Sequence, residues 1–324
     1  MALQNTFREV AIGLSPKQPQ MVDYLLEDAP IMEMMPFYPT TQGMSHVYEE
    51  LVDVTGNGLV ELDSPLPFVN ANTKIAQANL EVIGGLLEVG EDKAKLMGGA
   101  GNYFAGKVPK VLKKTGQDSE RAVLYNNLRA AAIAAQANPG LVGNEDHLLS
   151  AGGNAGTNYS IIAVKWEEGM INGLYNPDGF GRGMLFDLEP VSGGSLYPTL
   201  ESQSTVLGYG VRLKSYFGVL TANPRNVASI VNIDISDPDP DNWDLPTQNQ
   251  LDDLISAVRG TQGGSTMLLM HPKVMNALNE YKAARLQTVV ETTNFNRTFQ
   301  AWNGIPMVTS YNFLRGTEAN VVVP

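Results

Sequence analysis

The chain has 324 residues, 43% of them apolar, a formal net charge of −12 and no cysteine. That length and apolar content suffice to bury a sizeable core, while the missing cysteine excludes disulfides, thiolate metal centres, iron–sulfur clusters and a cysteine nucleophile. The acidic balance argues against a dedicated DNA-gripping surface, which needs clustered cations, and leaves room for a protein that encloses DNA without holding it.

Residues 1–7 lack a basic stretch followed by an apolar one, and no run approaches the roughly 20 apolar residues of a membrane span, so the chain is expected to stay in the cytosol where it is made. The sequons at Asn158 and Asn296 then carry no meaning. Residues 2–40 scatter Pro16, Pro19, Pro30, Pro36 and Pro39 around one short helical candidate, 21–26. This reads as an extended arm. Its apolar Ile31, Met32, Met34, Met35 and Phe37 should lie on a surface, its own or a neighbour's. An ordinary strand and helix packed on the same chain stays open.

Between residues 42 and 70, the runs 46–54 and 59–69 flank Thr55-Gly56-Asn57-Gly58, which has hairpin-turn chemistry. The runs mix acidic and apolar side chains: Val47, Glu49, Glu50, Leu51 and Asp53, then Val60, Glu61, Leu62 and Asp63. Few of these could form a private core, and two strands alone are barely stable in water. The hairpin is expected to lean on something outside itself.

Residues 74–89 read as a strand interrupted at Gly84-Gly85. In 98–136, Lys107, Lys110, Lys113 and Lys114 recur at three- and four-residue spacing, which makes a basic helical face. Phe104, Val108, Val111 and Leu112 fall on another side. Past a break expected at Gly116, Val123, Leu124, Leu128 and Ala131 to Ala135 resume the pattern, so two helices in line or one bent helix fits, with Pro109 producing a kink. Residues 91–129 hold eight Lys or Arg against four Asp or Glu, whereas residues 1–70 hold two against ten. That contrast calls for a partner surface.

Residues 138–157 read as a loop and 161–166 as a buried strand. Runs 169–174, 184–188 and 205–220 alternate in the same style, and 227–235 closes the sheet-rich part. An acidic connector, 237–244, leads to a helix at 248–258, a strand at 266–270 and a helix at 272–285 opened by a proline. Strands are expected at 302–308 and 319–323. There is no repeat of fixed period.

Several motifs touch on chemistry and fall short of it. Gly101, Gly106 and Lys107 have the spacing of a phosphate-cradling loop, but Val108 stands where a magnesium-holding Ser or Thr is needed and no strand precedes. Asp237, Asp239 and Asp241 suggest calcium, yet Pro238 and Pro240 stiffen the loop and Gln248 replaces the bidentate Glu. A solvated acidic turn capping the next helix fits better. His46, His147 and His271 lie far apart and suit structural roles, and Trp166, Trp243 and Trp302 suit core or interface anchors. Adjacent carboxylates such as Glu49-Glu50 and Glu167-Glu168 point to opposite faces of a strand and cannot share a proton there. No catalytic, cofactor or metal site is expected.

The order NYSIIAVKWEEGMINGLYNPDG, MLFDLEPV, YGVRLKSYFGVLTANPRNVASIVNI across residues 158–233 resembles the sheet region of tailed-bacteriophage major capsid proteins with the Hong Kong 97 fold, an α+β class. The arm, the acidic hairpin, the basic helix, LLMHPKVMNALNE and WNGIPMVTS resemble that fold's N-arm, extended loop, spine helix, axial domain and terminal strands. The resemblance implies an arm at 1–40, an extended-loop hairpin at 41–73, a peripheral domain at 74–235, and an axial domain with terminal strands at 236–324. Because Gly304-Ile305-Pro306 follows the sheet strands where the common arrangement puts such a strand first, the order looks permuted.

The family implies a virion shell of hexamers and pentamers on an icosahedral lattice around double-stranded DNA, assembled in host cytoplasm from copies of itself. Portal, scaffold or cement proteins are further expected partners, with no membrane and no cofactor. Joined to the charge pattern, the resemblance suggests that Glu49, Glu50, Asp53, Glu61 and Asp63 of one subunit meet Lys107, Lys110, Lys113 and Lys114 of the next, an attraction that salt should weaken. Charge reversal at Lys110 and Lys113 should then impair assembly and spare the fold. Some family members crosslink through a lysine of the extended loop. With no lysine between Lys17 and Lys74, a noncovalent shell is expected here. The rival readings are an encapsulin-like compartment, a nucleotide-dependent enzyme, and a tail or decoration protein.

Overall fold

A computed structural model describes residues 19–55, 60, 62, 65, 68, 70–137, 146–154, 156–178, 186–199, 206–261, 265–279, 286–291 and 297–323. It opens with helices α1 (Pro19–Leu26) and α2 (Pro30–Met34) and strand β1 (Phe37–Pro39). A hairpin of β2 (Ser45–Thr55) and β3 (Asn70–Asn79) follows, then β4 (Glu81–Gly90) and α3 (Glu91–Leu96). A long helix comes next, made of α4 (Ala100–Ala122), a π-helical segment (Val123–Arg129) and α5 (Ala130–Ala137).

Strands β5 (Leu148–Ser150), β6 (Tyr159–Trp166), β7 (Ile171–Tyr175), β8 (Phe186–Pro190), β9 (Tyr197–Pro198), β10 (Leu207–Thr221) and β11 (Val227–Ile233) form the middle of the chain. The last part holds α6 (Gln248–Ala257), β12 (Ser265–Met270), α7 (Pro272–Leu278), β13 (Leu286–Glu291), β14 (Arg297–Trp302) and β15 (Ile305–Thr309).

Seven strands make the central sheet, in the order β13-β14-β15-β12-β6-β11-β5. A second sheet runs β1-β7-β10-β4, with β8 and β9 also paired to β10, and the hairpin is a two-stranded sheet of its own. In β6 and β11 the apolar runs are buried on both faces, and the strand period of two sorts them. Ile162, Val164 and Trp166 join the long helix's Leu124 and Leu128 on one face, while Ile161, Ala163 and Ile230 join Leu251, Leu254 and Val274 of α6 and α7 on the other. Each fully buried aliphatic side chain of this kind contributes about 1.5–3 kcal/mol, so this helix-sheet-helix sandwich carries the fold.

Several expectations change. Residues 25–37 are no surface arm: Leu25, Ile31, Met32, Met35 and Phe37 are buried in the chain's own core. The hairpin's return strand is Asn70–Asn79 and not 59–69, with Ser45 opposite Asn79 and Thr55 opposite Asn70. Its 55–58 turn is described only at Thr55. Gly84-Gly85 interrupts nothing, since β4 pairs with β10 straight through it. Gly84 is needed because a Cβ there would sit 2.0 Å from the Leu213 carbonyl oxygen.

Gly116 does not break the helix either. It lets α1 approach, because a Cβ would sit 2.0 Å from the Leu25 carbonyl oxygen, and Pro109 is accommodated within α4. The departure from α geometry comes later, at Val123–Arg129. The expected strand over 302–308 is divided: Trp302 ends β14, Asn303 and Gly304 turn at φ 49° and 83°, and the strand resumes as β15 from Ile305. Residues 319–323 form no strand; of the helix expected at 272–285, α7 covers Pro272–Leu278, and 280–285 lie outside the described residues. The cap on α6 is Thr247 with Gln250, a reciprocal capping box, and not the acidic connector. Strands on either side of residues 235/236 share one sheet, since β11 and β12 both pair with β6.

Candidate assembly surface

The hairpin is anchored at its base and free beyond it. Leu80 donates its N–H to the Met44 carbonyl at 2.9 Å, and Val47 donates to Thr41 Oγ1 at 3.0 Å. Tyr48 and Ala78 pack on the small cluster of Leu80, Leu174 and Leu220. Further out neither face of β3 is covered: Asn72, Thr73, Lys74 and Ile75 are all exposed, Ile75 at 78%. Leu62 and Phe68, between the strands, are 94% and 100% exposed. A two-stranded ribbon with both faces open lacks the burial that would stabilise it alone.

Of the acidic residues expected to act here, Glu49 is exposed on β2 opposite Ile75. Glu50 and Asp53 lie at register positions opposite Lys74 and Asn72, with a register shift between Leu51 and Asp53. Glu61 and Asp63 fall outside the described residues. Between Ser45 and Asn79 the ribbon carries five carboxylates and one lysine. That lysine, Lys74, lies on β3 and gives the hairpin an amine, so a missing lysine donor is no ground for a noncovalent shell.

The lysines divide into two groups. At about 100° per residue, Lys107, Lys110 and Lys114 fall within about 60° of one another on the helix, whereas Lys113 lies about 120° from Lys107. Lys113 turns to α1 and pairs with Glu27 at 2.5 Å. Lys114 pairs with Asp118 one turn on at 2.6 Å. The Lys107 ammonium stands 6.0 Å from the Tyr103 ring, beside Lys93 at 5.7 Å. Lys110 is exposed and forms no ion pair among the described residues. Val108 and Val111 hold this stretch against Leu87, Val211 and Leu213 around an apolar cavity of about 70 Å³. Leu112, two residues past Lys110, is fully buried and seats this part of the helix in the core.

Two buried carboxylates escaped the sequence reading. Glu120 is fully buried and accepts four hydrogen bonds: from the Ile31 N–H at 2.8 Å, the Met32 N–H at 3.2 Å, Asn312 Nδ2 at 2.9 Å and the Ser310 hydroxyl. Burial pushes its carboxyl above the usual range, opposed by those hydrogen bonds. Glu318, 2% exposed, accepts from the Tyr125 hydroxyl at 2.5 Å, Arg129 Nη1 at 2.8 Å and Ser160 Oγ at 3.1 Å. Burial pushes it up too, and raises the Tyr125 phenol. Glu120 was traceable in the sequence. It lies four residues past Gly116 and eight past Leu112, on the buried stripe.

The motifs set aside for chemistry have structural roles. Gly101, Gly106 and Lys107 lie inside α4, where they form no loop. Asp237 and Asp239 build successive turns by accepting the N–H groups of Asp239 and Asp241, and no metal-holding group of three His, Asp or Glu exists among the described residues. His147 Nδ1 lies 2.8 Å from the Val227 carbonyl, and His271 Nδ1 accepts the Lys273 N–H to cap α7. Trp166 and Trp302 are core, while Trp243 donates to the Asp237 carbonyl. No helix among the described residues is long and apolar enough to cross a membrane.

A family model described as major capsid protein GP7 matches residues 15–322. Among solved structures, that of bacteriophage epsilon15 is similar at a TM-score of 0.52 and 16% identity, covering 88% of each chain. The bacteriophage JBD30 capsid gives 0.47 at 9% identity, covering 85% of this chain and 88% of its own. An encapsulin complex from Synechococcus elongatus gives 0.39 at 12%, covering 64% and 89%. The first likeness shows a shared fold, and the other two scores are too low to carry an argument. No curated protein matches the chain.

Proposed function

The chain belongs to the major capsid protein GP7 family, a phage capsid protein that builds a shell from copies of itself, and from that premise we propose that the hairpin β2–β3 of one subunit lies across the lysine-bearing turns of α4 in its neighbour. The observation that carries this reading is the ribbon open on both faces, with exposed Glu49 and Ile75, in a chain whose exposed Lys107 and Lys110 stand on the long helix. Docking covers Ile75, Phe68 and Leu62 and brings opposite charges together, which sets register and partner choice more than raw affinity.

The hairpin serves as the extended loop, and the long helix as the spine of the peripheral domain. The shell is icosahedral, made of hexamers and pentamers, and encloses double-stranded DNA after assembly in host cytoplasm. The net charge of −12 keeps a like-charged genome from adhering to the wall. Portal, scaffold or cement proteins join this shell, and the subunit's part is structural and not catalytic. Expression of the full chain with electron microscopy tests the reading: closed particles are expected, and particles from infected cells should protect DNA from nuclease. Monomers at every concentration, or particles holding a protein cargo without DNA, would overturn it.

A further inference from the structure

Beyond β15 the described residues form no helix or strand, yet they are tied to the long helix at successive points. Ser310 and Asn312 donate to Glu120. Arg121 Nε donates to the Asn312 carbonyl at 3.3 Å. The Tyr125 hydroxyl accepts the Leu314 N–H at 2.9 Å and donates to Glu318, whose other oxygen takes Arg129 Nη1. Buried Phe313 meets the Tyr125 ring edge-on at 6.2 Å, and the Arg129 guanidinium lies 4.8 Å from the same ring. Ser160 of β6 completes the Glu318 site, so the strap joins the helix to the central sheet.

Both helix residues that hold Glu318, Tyr125 and Arg129, lie in the π-helical segment. A π turn is rare and poorly populated in a free helix, and it marks a place where contacts from outside have drawn the backbone off its α register. We infer that residues 310–318 are a strap that holds the long helix in its π register, making Val123–Arg129 a two-state joint between the lysine-bearing α4 and the sheet-packed α5. With Glu318 released, the segment rewinds to α geometry. Because α4 stays seated by Gly116 against the Leu25 carbonyl and by buried Glu120, the change of phase, up to about one residue or about 100°, falls on α5. Glu318 acts as a positioning residue: it sets the phase of α5 against the seated, lysine-bearing α4. The device is independent of what docks on those lysines.

The absence of native cysteine makes the test direct. Nitroxide labels on Lys114→Cys and Ala137→Cys in the full chain report the separation across the joint by pulsed electron resonance. The otherwise unchanged chain should give one distance. Glu318→Ala should give a second population displaced by about 5 Å or more, given the 10–12 Å width of a helix. Glu318→Gln, which keeps the side-chain shape and loses the charge, should populate both. Near-UV circular dichroism identifies the folded samples; if the alanine variant does not fold, the glutamine variant decides. A single unshifted distance in a folded Glu318 variant would overturn the inference.

Discussion

Carboxylates occupy opposite settings in the helix–strap seam and in the hairpin. At the seam Glu120 and Glu318 are buried with partners for both oxygens, and each joins segments far apart in sequence. On the hairpin Glu49 is exposed and makes no ion pair among the described residues. An inward charge is costly unless fully satisfied, so it fixes position. An outward charge contributes little to stability and remains available to another copy. Substitutions at the seam should therefore alter folding, and substitutions on the lysine face should alter assembly alone.

The largest effect is expected where packing and not charge is removed. Trp166→Ala, at a side chain 1% exposed in the core, should cost about 3–5 kcal/mol in urea denaturation of the unassembled chain. At the seam, Glu120→Ala leaves the Ile31, Met32 and Asn312 donors without their acceptor and should cost about 3 kcal/mol. If that variant were as stable as the parent, the contrast between buried and exposed carboxylates would collapse.

The pH dependence at Glu120 sharpens the same contrast. Burial raises its carboxyl above the ordinary value of 4.5. A carboxyl raised in the folded state contributes its stabilisation fully below the unfolded value, and that contribution is lost as pH rises through the folded value. Denaturation of parent and Glu120→Gln between pH 4 and 8 should show the parent's advantage falling as pH rises. An advantage that grew with pH would mean that the folded carboxyl is lowered and not raised.

Gly116→Ala should cost about 1–3 kcal/mol despite alanine's better helix propensity, because its Cβ has no room beside the Leu25 carbonyl. The smallest effect on stability belongs to the lysine face. Lys107→Glu with Lys110→Glu should change it by less than about 0.5 kcal/mol, yet prevent or slow particle formation in light scattering. This pair is a cleaner choice than Lys110 with Lys113, since Lys113 already serves Glu27 within the chain.

The elements with strong local periodicity were legible in the sequence: β6, β11, α6 and the long helix carry their apolar stripes openly. The errors have one physical source, which is that a residue's local signal reports backbone preference and not what approaches it. Gly116 and Gly84 look like breaks, but each admits another backbone. The scattered prolines before β1 look like a loose arm, yet Pro30 opens α2 and directs the Ile31 and Met32 N–H groups at Glu120. The outgoing strand of the hairpin was legible over 46–54, but the turn chemistry at 55–58 pointed to the wrong return strand, since Thr55 pairs with Asn70. The hairpin's register was not legible, because polar Asn70–Asn79 lacks the apolar alternation that marks a half-buried strand.

Proximity between subunits can be measured with single cysteines in this cysteine-free chain. A Glu49→Cys copy mixed with a Lys110→Cys copy and treated with a short bismaleimide should yield covalent dimers in assembled particles and none in dilute unassembled chain. Particles that form normally and yield no such dimer would contradict hairpin-to-helix docking between neighbours.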